Sequence, residues 1–142
     1  LLLKDALREG RLYAVMEVMG YAQGFDYYLQ HKGQNTAKMG STVSLSEGAA
    51  TLQIKMPQVI DIDPAKSAPD LTARLLVAVE GGFEEVTSDT KDIQWTVTEP
   101  GSYRAEIRMK PWHLEDFLGD ELELVLSRDY VWVYSNPIFI TP

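Results

Sequence analysis

The residue types that most often catalyse reactions or bind metals are sparse and widely separated in this chain. Its only histidines are His31 and His113, too few for a catalytic metal centre, which normally needs several converging histidines or carboxylates. We therefore expect both histidines at the surface or at the rim of the fold. The chain has no cysteine, which excludes disulfides, thiolate zinc sites, iron–sulfur clusters and a cysteine nucleophile.

Carboxylates, serines and glycines give no stronger signal. Asp61 and Asp63 could contribute to a calcium site, but calcium needs six or more oxygens and no glycine-spaced acidic loop surrounds the pair, so a polar loop is favoured. Ser135 has no histidine in a suitable context for acyl transfer. Gly81 and Gly82 lie between two predicted strands, whereas a phosphate-binding loop leads into a helix. We predict no catalytic, cofactor-binding or metal-ligating residue within this sequence.

Aromatic side chains are the remaining candidates for a binding surface. Tyr130, Trp132 and Tyr134 alternate along the last predicted strand, so we expect them to share one face. Such a face, together with Trp112, could stack against sugar rings or pack against another domain. We favour packing and treat these three residues as candidate domain-interface residues. Trp95 alternates with two aliphatic residues and is expected in the core.

The charge distribution argues against nucleic acid as a partner. The chain carries 21 acidic and 13 basic side chains, a formal net charge of −8. Phosphate binding needs clustered cations, and the densest basic group, Arg104, Arg108 and Lys110, shares its predicted strand face with Glu106. We interpret that face as solvated, with a ligand site as the alternative. No apolar run approaches the roughly 18–20 residues of a membrane span.

Hydrophobic periodicity predicts a short helix followed by a β domain. Residues 2–9 place Leu3 and Leu7 on one helical face, with Gly10 as a C-cap. From residue 11 onward the period changes to two, which is typical of strands. Residues 58–70 are predicted as a loop and 113–118 as one helical turn. The predicted strands are 11–18, 25–31, a short one near 42–45, 51–56, 71–80, 83–86, 93–97, 103–109, 122–126 and 130–140.

Short strands at near-regular spacing favour an antiparallel β-sandwich. Pro100-Gly101-Ser102-Tyr103, at the start of a late strand, is similar to the tyrosine corner of immunoglobulin-like folds, in which the phenol ties the turn to the backbone. The predicted fold class is therefore mainly β, an antiparallel immunoglobulin-like β-sandwich with a short N-terminal helix.

Three segments, spaced along nearly the whole chain, carry a family resemblance. They are residues 5–13, 99–106 and 132–139, with intermediate matches at Gly24-Phe25 and Met39-Gly40. In this order they resemble the carboxy-terminal region that follows the catalytic domain in one branch of the PHP (polymerase and histidinol phosphatase) superfamily of metal-dependent phosphoesterases. The resemblance implies structural signature roles for Pro100, Gly101, Tyr103, Ser135, Asn136 and Pro137.

The resemblance implies a division of labour. The family's catalytic part is a distorted α/β barrel that holds two or three metal ions, and none of its ligand motifs occurs here. Residues 1–10 would then be the helical exit from that upstream domain and residues 11–142 a non-catalytic accessory sandwich, with divalent metals expected only upstream. The start inside a helix, without a methionine, fits a fragment of a longer protein. Residues 113–123 depart from the family's pattern, which leaves the strand pairing near the end open.

The alternative from another functional class is a stand-alone carbohydrate- or calcium-binding β-sandwich module, a common type among bacterial proteins. Exposure of Trp112 and Trp132 on a concave face would favour sugar binding, and a cation near Asp61 and Asp63 would favour calcium.

Overall fold

The computed structural model describes residues 2–31 and 35–142, and in these residues the chain is mainly β. Short 3-10 helices lie at Glu17–Met19, Leu45–Glu47, Trp112–Leu114 and Gly119–Glu121. The α-helices are α1 (Leu2–Arg8), α2 (Glu115–Leu118) and α3 (Leu122–Leu126). The strands are β1 (Tyr13–Val15), β2 (Tyr21–Gln23), β3 (Asp26–His31), β4 (Asn35–Lys38), β5 (Thr42–Ser44), β6 (Ala50–Lys55), β7 (Gln58–Ile60), β8 (Asp70–Val79), β9 (Gly82–Asp89), β10 (Ile93–Val97), β11 (Gly101–Lys110), β12 (Tyr130–Ser135) and β13 (Ile138–Thr141).

The strands form two larger sheets and one small one. In the seven-stranded sheet, β12 and β13 pair with one side of β11 and are followed outward by β1 and β5 respectively, while β8 pairs with the other side of β11 and β9 lies beyond it. The four-stranded sheet has the order β10-β6-β3-β4, and β2 pairs with β7. The pairs are antiparallel except for β13 with β5, which is parallel. The predicted antiparallel, mainly β class with a short N-terminal helix is confirmed, and the immunoglobulin-like plan stays a prediction.

Both larger sheets contribute side chains to a single hydrophobic core, as in a β-sandwich. The Tyr27 hydroxyl on β3 donates a hydrogen bond of 2.9 Å to the backbone carbonyl oxygen of Tyr103 on β11, which ties the two sheets together. Period-two alternation selects the core side chains of each strand. The fully buried ones include Tyr27, Leu29, Leu52, Ile54, Leu75, Ile107, Met109 and Ile138.

The segment 122–126 is helical, so its predicted strand is wrong. Leu122, Leu124 and Leu126 alternate with Glu123 and Val125, which mimics a strand, yet leucine and glutamate are strong helix formers. Only Leu126 of these is buried, so no sheet face anchors the alternation. The short strand β7 occurs within the predicted loop 58–70, and β2 and β4 occur where no strand was predicted.

Trp95 is 37% exposed, although Ile93 and Val97 beside it are buried. The prediction that it belongs to the core is therefore wrong. The reason is that β10 lies at the edge of its sheet and, among the described residues, pairs with β6 alone, so a large side chain in its centre has a neighbouring strand on one side.

Burial of Tyr27 makes stability depend on alkaline pH. Desolvation, and secondarily the charge of Tyr103, raise the pKa of the Tyr27 phenol well above its ordinary value. Above about pH 10 the unfolded chain releases this proton while the folded chain keeps it, so stability is full below pH 10 and falls by up to about 1.4 kcal/mol per pH unit above it. Urea unfolding between about pH 8 and pH 11 should show a shallower alkaline decline in Tyr27→Phe than in the wild type. An unchanged decline would contradict this prediction.

Candidate functional site

The segment Asn136-Pro137 interrupts what would otherwise be one long strand. β12 and β13 follow one another along the same side of β11, pairing with residues 106–109 and 101–103 respectively. Proline has no N–H to donate to a ladder, which suits it to such a break. On the outer side, β1 pairs with β12 and β5 with β13, so the neighbouring strand changes at the interruption.

Ser135 closes the hydrogen-bonding gap that this interruption leaves. The N–H of Ala105 lies between the parts of β11 that pair with β12 and with β13, and it donates to the Ser135 hydroxyl at 2.9 Å. Ser135 is 3% exposed. Because a buried N–H without a partner is costly, the role of this serine is structural.

The end of α1 is fixed at the same place. The Asn136 side-chain amide donates to the carbonyl oxygen of Gly10 at 3.1 Å, and the Asn136 backbone N–H donates to that of Leu12 at 3.1 Å. The backbone N–H of Gly40 donates to the carbonyl oxygen of Pro137 at 2.8 Å. We call Gly10, Gly40, Asn136 and Pro137 the junction.

Two glycines of the junction touch through their backbones. Gly40 has φ +84°, and a Cβ there would overlap the carbonyl oxygen of Glu9 and lie 2.9 Å from the carbonyl carbon of Gly10. Gly10 has φ +66°, and its Cβ would lie 3.3 Å from the Cα of Gly40. Glycine is therefore required at residue 40 both by backbone conformation and by space.

Tyr103 makes the hydrogen bond expected of a tyrosine corner. Its hydroxyl donates to the carbonyl oxygen of Glu99 at 3.0 Å, four residues upstream, across the turn that contains Pro100 and Gly101. A Cβ on Gly101 would lie 3.0 Å from the Val77 side chain and 3.1 Å from the Tyr103 ring, so the glycine leaves room for this ring.

α1 presents an apolar face that the described residues leave uncovered. Leu2, Leu3 and Leu7 are 85%, 73% and 58% exposed, and the helix has no buried residue. Amphipathic surface helices normally turn such a stripe towards a core. The junction therefore anchors a short helix whose leucines are available for another contact.

The expected common face of Tyr130, Trp132 and Tyr134 is wrong, because a β-bulge interrupts the alternation. Tyr134 pairs with Glu106 and Tyr130 with Met109, which point to opposite faces of β11. Trp132 is the extra residue at this register shift.

Trp132 is completely buried, and its Nε1 donates to the carbonyl oxygen of Gly20 at 2.9 Å. Tyr134 is 43% exposed, and Tyr130 is partly buried. Trp112 is also partly buried, and its Nε1 donates to Asp70 at 2.7 Å. Trp132 therefore cannot contribute to an exposed platform for sugar rings.

The charged side chains on one face of β11 form specific ion pairs rather than lying separately in solvent. Glu106 is only 5% exposed and accepts from Arg104 at 2.6 Å, with Arg108 at 3.6 Å on its other side. The Arg104 guanidinium lies over the Phe83 ring, 3.8 Å from its centroid. The expectation of a solvated face is therefore wrong for Glu106, because two guanidinium groups cover its carboxylate.

Both histidines are buried, contrary to expectation. His31 is 9% exposed, because β3 alternation carries it onto the core face together with Tyr27 and Leu29. His113 is 6% exposed, and its Nε2 lies 2.9 Å from the carbonyl oxygen of Met19. Since a carbonyl can only accept, this nitrogen of His113 carries the proton.

His113 shares a cleft with the two aspartates of the predicted loop. Asp61 and Asp63 line the same concavity, whose volume is about 360 Å³. Asp61 has a left-handed φ of +58°, and Asp63 accepts a hydrogen bond from the N–H of Ala65 at 2.9 Å. Within residues 2–31 and 35–142, no three His, Asp or Glu side chains lie close enough together to hold a metal ion. Spacing along the chain does not reveal this grouping, since about 50 residues separate the aspartates from His113.

Comparison with protein-family models, with curated proteins and with solved structures found no match to this chain. Among the described residues, no helix has the length and apolar character needed to cross a membrane. The resemblance to the region that follows PHP catalytic domains stays a prediction based on this chain's own residues.

Proposed function

We propose that this chain is a non-catalytic, C-terminal accessory domain of a PHP-type metal-dependent phosphoesterase, and that α1 connects it to the catalytic barrel. The observation that carries the proposal is the junction. Gly10 and Asn136-Pro137, from two of the three main segments that carry the resemblance, meet Gly40, from an intermediate match, in direct contact there.

The junction suits a fixed connection between two domains. A linker rich in unpaired polar residues would let the domains move independently. Here the peptide after α1 is bound by a side-chain amide, by backbone hydrogen bonds and by the glycine contact, so the orientation of the helix is set by the sheets. An accessory domain held in this way would support the barrel or shape access to its active site.

The exposed leucines of α1 supply the contact surface that this function needs. Burying one leucine side chain stabilises an interface by about 1.5–3 kcal/mol. Of the predicted interface aromatics, Tyr134 has exposed area available for a domain contact, whereas Trp132 belongs to the core.

The proposal predicts a metal site and phosphoesterase activity outside residues 1–142. Metal content and hydrolysis of p-nitrophenyl phosphate are to be measured on the natural polypeptide with and without these residues. We expect the polypeptide that lacks residues 1–142 to bind metal and to hydrolyse the ester. The presence of residues 1–142 should change its stability or its rate of hydrolysis. Absence of metal and of hydrolysis in that part would overturn the proposal.

A second measurement addresses the leucine face directly. The double substitution Leu3→Ser and Leu7→Ser should destabilise the longer protein by about 3–6 kcal/mol, because it removes two buried side chains. In residues 1–142 alone the same change should cost at most about 0.5 kcal/mol per site, as is usual on a surface. Lys4→Ser, on the same helix, is the matched control, and its effect on stability should be small in both proteins. Equal small effects of the leucine changes in both would contradict the proposed contact.

A further inference from the structure

We propose that the cleft lined by Glu17, Val18, Tyr21, Asp61, Asp63 and Phe117 docks a short peptide segment of a partner protein, in which an apolar side chain is flanked by lysine or arginine. This inference does not depend on the proposed function. The cleft lies between the 3-10 helix Glu17–Met19, the loop that carries the two aspartates, and the segment from His113 to Phe117.

Apolar side chains around the cleft are unusually exposed. Val18 is 79% exposed, Tyr21 50% and Phe117 82%. The volume of about 360 Å³ lies within the range of ligand clefts, about 300–1,000 Å³. Large apolar side chains around a concavity, surrounded by polar groups, are typical of protein interaction sites.

The charge around these apolar groups is negative and largely unbalanced. Lys66 forms an ion pair with Asp116 and is thereby neutralised. Glu17, Asp61 and Asp63 form no ion pair with any described residue. Complementary charge steers association and selects the partner, so the flanking residues of the occupant are cationic.

The backbone at the end of the first 3-10 helix, beside the cleft, is held by hydrogen bonds within the chain. The carbonyl oxygen of Met19 is bonded by His113, and that of Gly20 by Trp132, both at 2.9 Å. A Cβ on Gly20 would lie 2.7 Å from the Val59 side chain, so the glycine allows the 3-10 helix to end directly against β7. A preorganised surface binds a peptide without paying the entropy of its own ordering.

The exposure of the rim favours a peptide over the other possible occupants. Val18 and Phe117 keep most of their surface in solvent, so an occupant must cover the cleft from outside, as an extended segment does. A second copy of this chain would bring another net charge of −8 to an acidic surface, which opposes association.

Fluorescence anisotropy of a labelled peptide, Lys-Arg-Leu-Phe-Arg-Lys, titrated with the chain tests the proposal. We expect saturable binding that weakens as salt rises from about 50 mM to about 500 mM. Asp61→Asn should weaken binding about fivefold, since asparagine tolerates the left-handed backbone but lacks the charge. Phe117→Ala should weaken it about tenfold through loss of apolar contact.

Matched controls separate a specific site from general acidity. Glu84→Gln and Phe139→Ala change an exposed carboxylate and a half-exposed aromatic ring outside the cleft, and both should leave the affinity unchanged. Peptides with glutamate in place of the cations, or serine in place of Leu-Phe, should bind much more weakly.

Three results would overturn the proposal. The first is an affinity that Asp61→Asn and Phe117→Ala do not change. The second is binding of phenethylammonium alone with the same affinity as the peptide, which would make the cleft a site for small amines. The third is self-association of the chain that Phe117→Ala abolishes, which would assign the surface to a second copy.

Discussion

Replacing Trp132 by alanine is expected to lower the free energy of unfolding of this chain by about 3–5 kcal/mol. The side chain is completely buried, and it is the largest of the fully buried side chains. Its removal leaves a cavity beneath the first 3-10 helix and leaves the carbonyl oxygen of Gly20 without the indole N–H. Urea unfolding followed by circular dichroism measures the change without relying on the deleted fluorophore.

Two companion variants separate the contributions at this site. Trp132→Phe keeps much of the volume and removes the hydrogen bond, so its cost should be smaller than that of alanine. Tyr134→Ala, two residues along the same strand and 43% exposed, should cost only about 1 kcal/mol. If Trp132→Ala destabilised only a longer protein and left this chain unaffected, Trp132 would be an interface residue. That result would contradict its assignment to the core of this chain.

The regular parts of the fold could be predicted because each has a strong local pattern. The alternation in β6 and β11 matches the observed inward side chains, such as Leu52, Ile54, Ala105 and Ile107. The leucine spacing and Gly10 predicted α1 almost to the residue. The Pro-Gly-x-Tyr pattern predicted the hydrogen bond of Tyr103, because that bond closes over four residues and needs no distant partner.

The errors occur where a distant neighbour decides the local structure. Alternation predicts that Trp132 faces the same way as Tyr130 and Tyr134, but a bulge depends on the register with β11, which the strand's own sequence does not contain. Trp95 obeys its alternation and is still half exposed, because its strand lies at the edge of a sheet.

The candidate sites depend on the same kind of long-range contact. Gly10, Gly40 and Asn136 are each visible in the sequence as turn or break residues, but their meeting follows from how β1 and β5 pair on either side of the interruption. Likewise, Asp61 and His113 come together because β7 and the segment after β11 lie beside the first 3-10 helix. Residue patterns along the sequence therefore do not predict that the residues of either candidate site come together.

Gly40→Ala is expected to destabilise the chain by about 2–4 kcal/mol, through two separable effects. The left-handed φ of +84° is unfavourable for alanine, and the new Cβ would overlap the peptide between Glu9 and Gly10. The overlap must push the end of α1 away from the sheets. Hydrogen exchange should therefore also show loss of protection at the N–H of Asn136, whose partner is the carbonyl oxygen of Leu12.

Gly24→Ala separates the effect of the contact from the effect of backbone strain. Gly24 has the same φ of +84°, but a Cβ there would meet nothing within 4 Å. Its substitution should cost only the strain, about 1–2 kcal/mol, and should leave the Asn136 N–H protected. The excess cost at residue 40 then measures how firmly the junction holds α1. Equal costs at the two glycines, with Asn136 protected in both variants, would mean that α1 is not clamped, and a fixed connection to another domain would lose its physical basis.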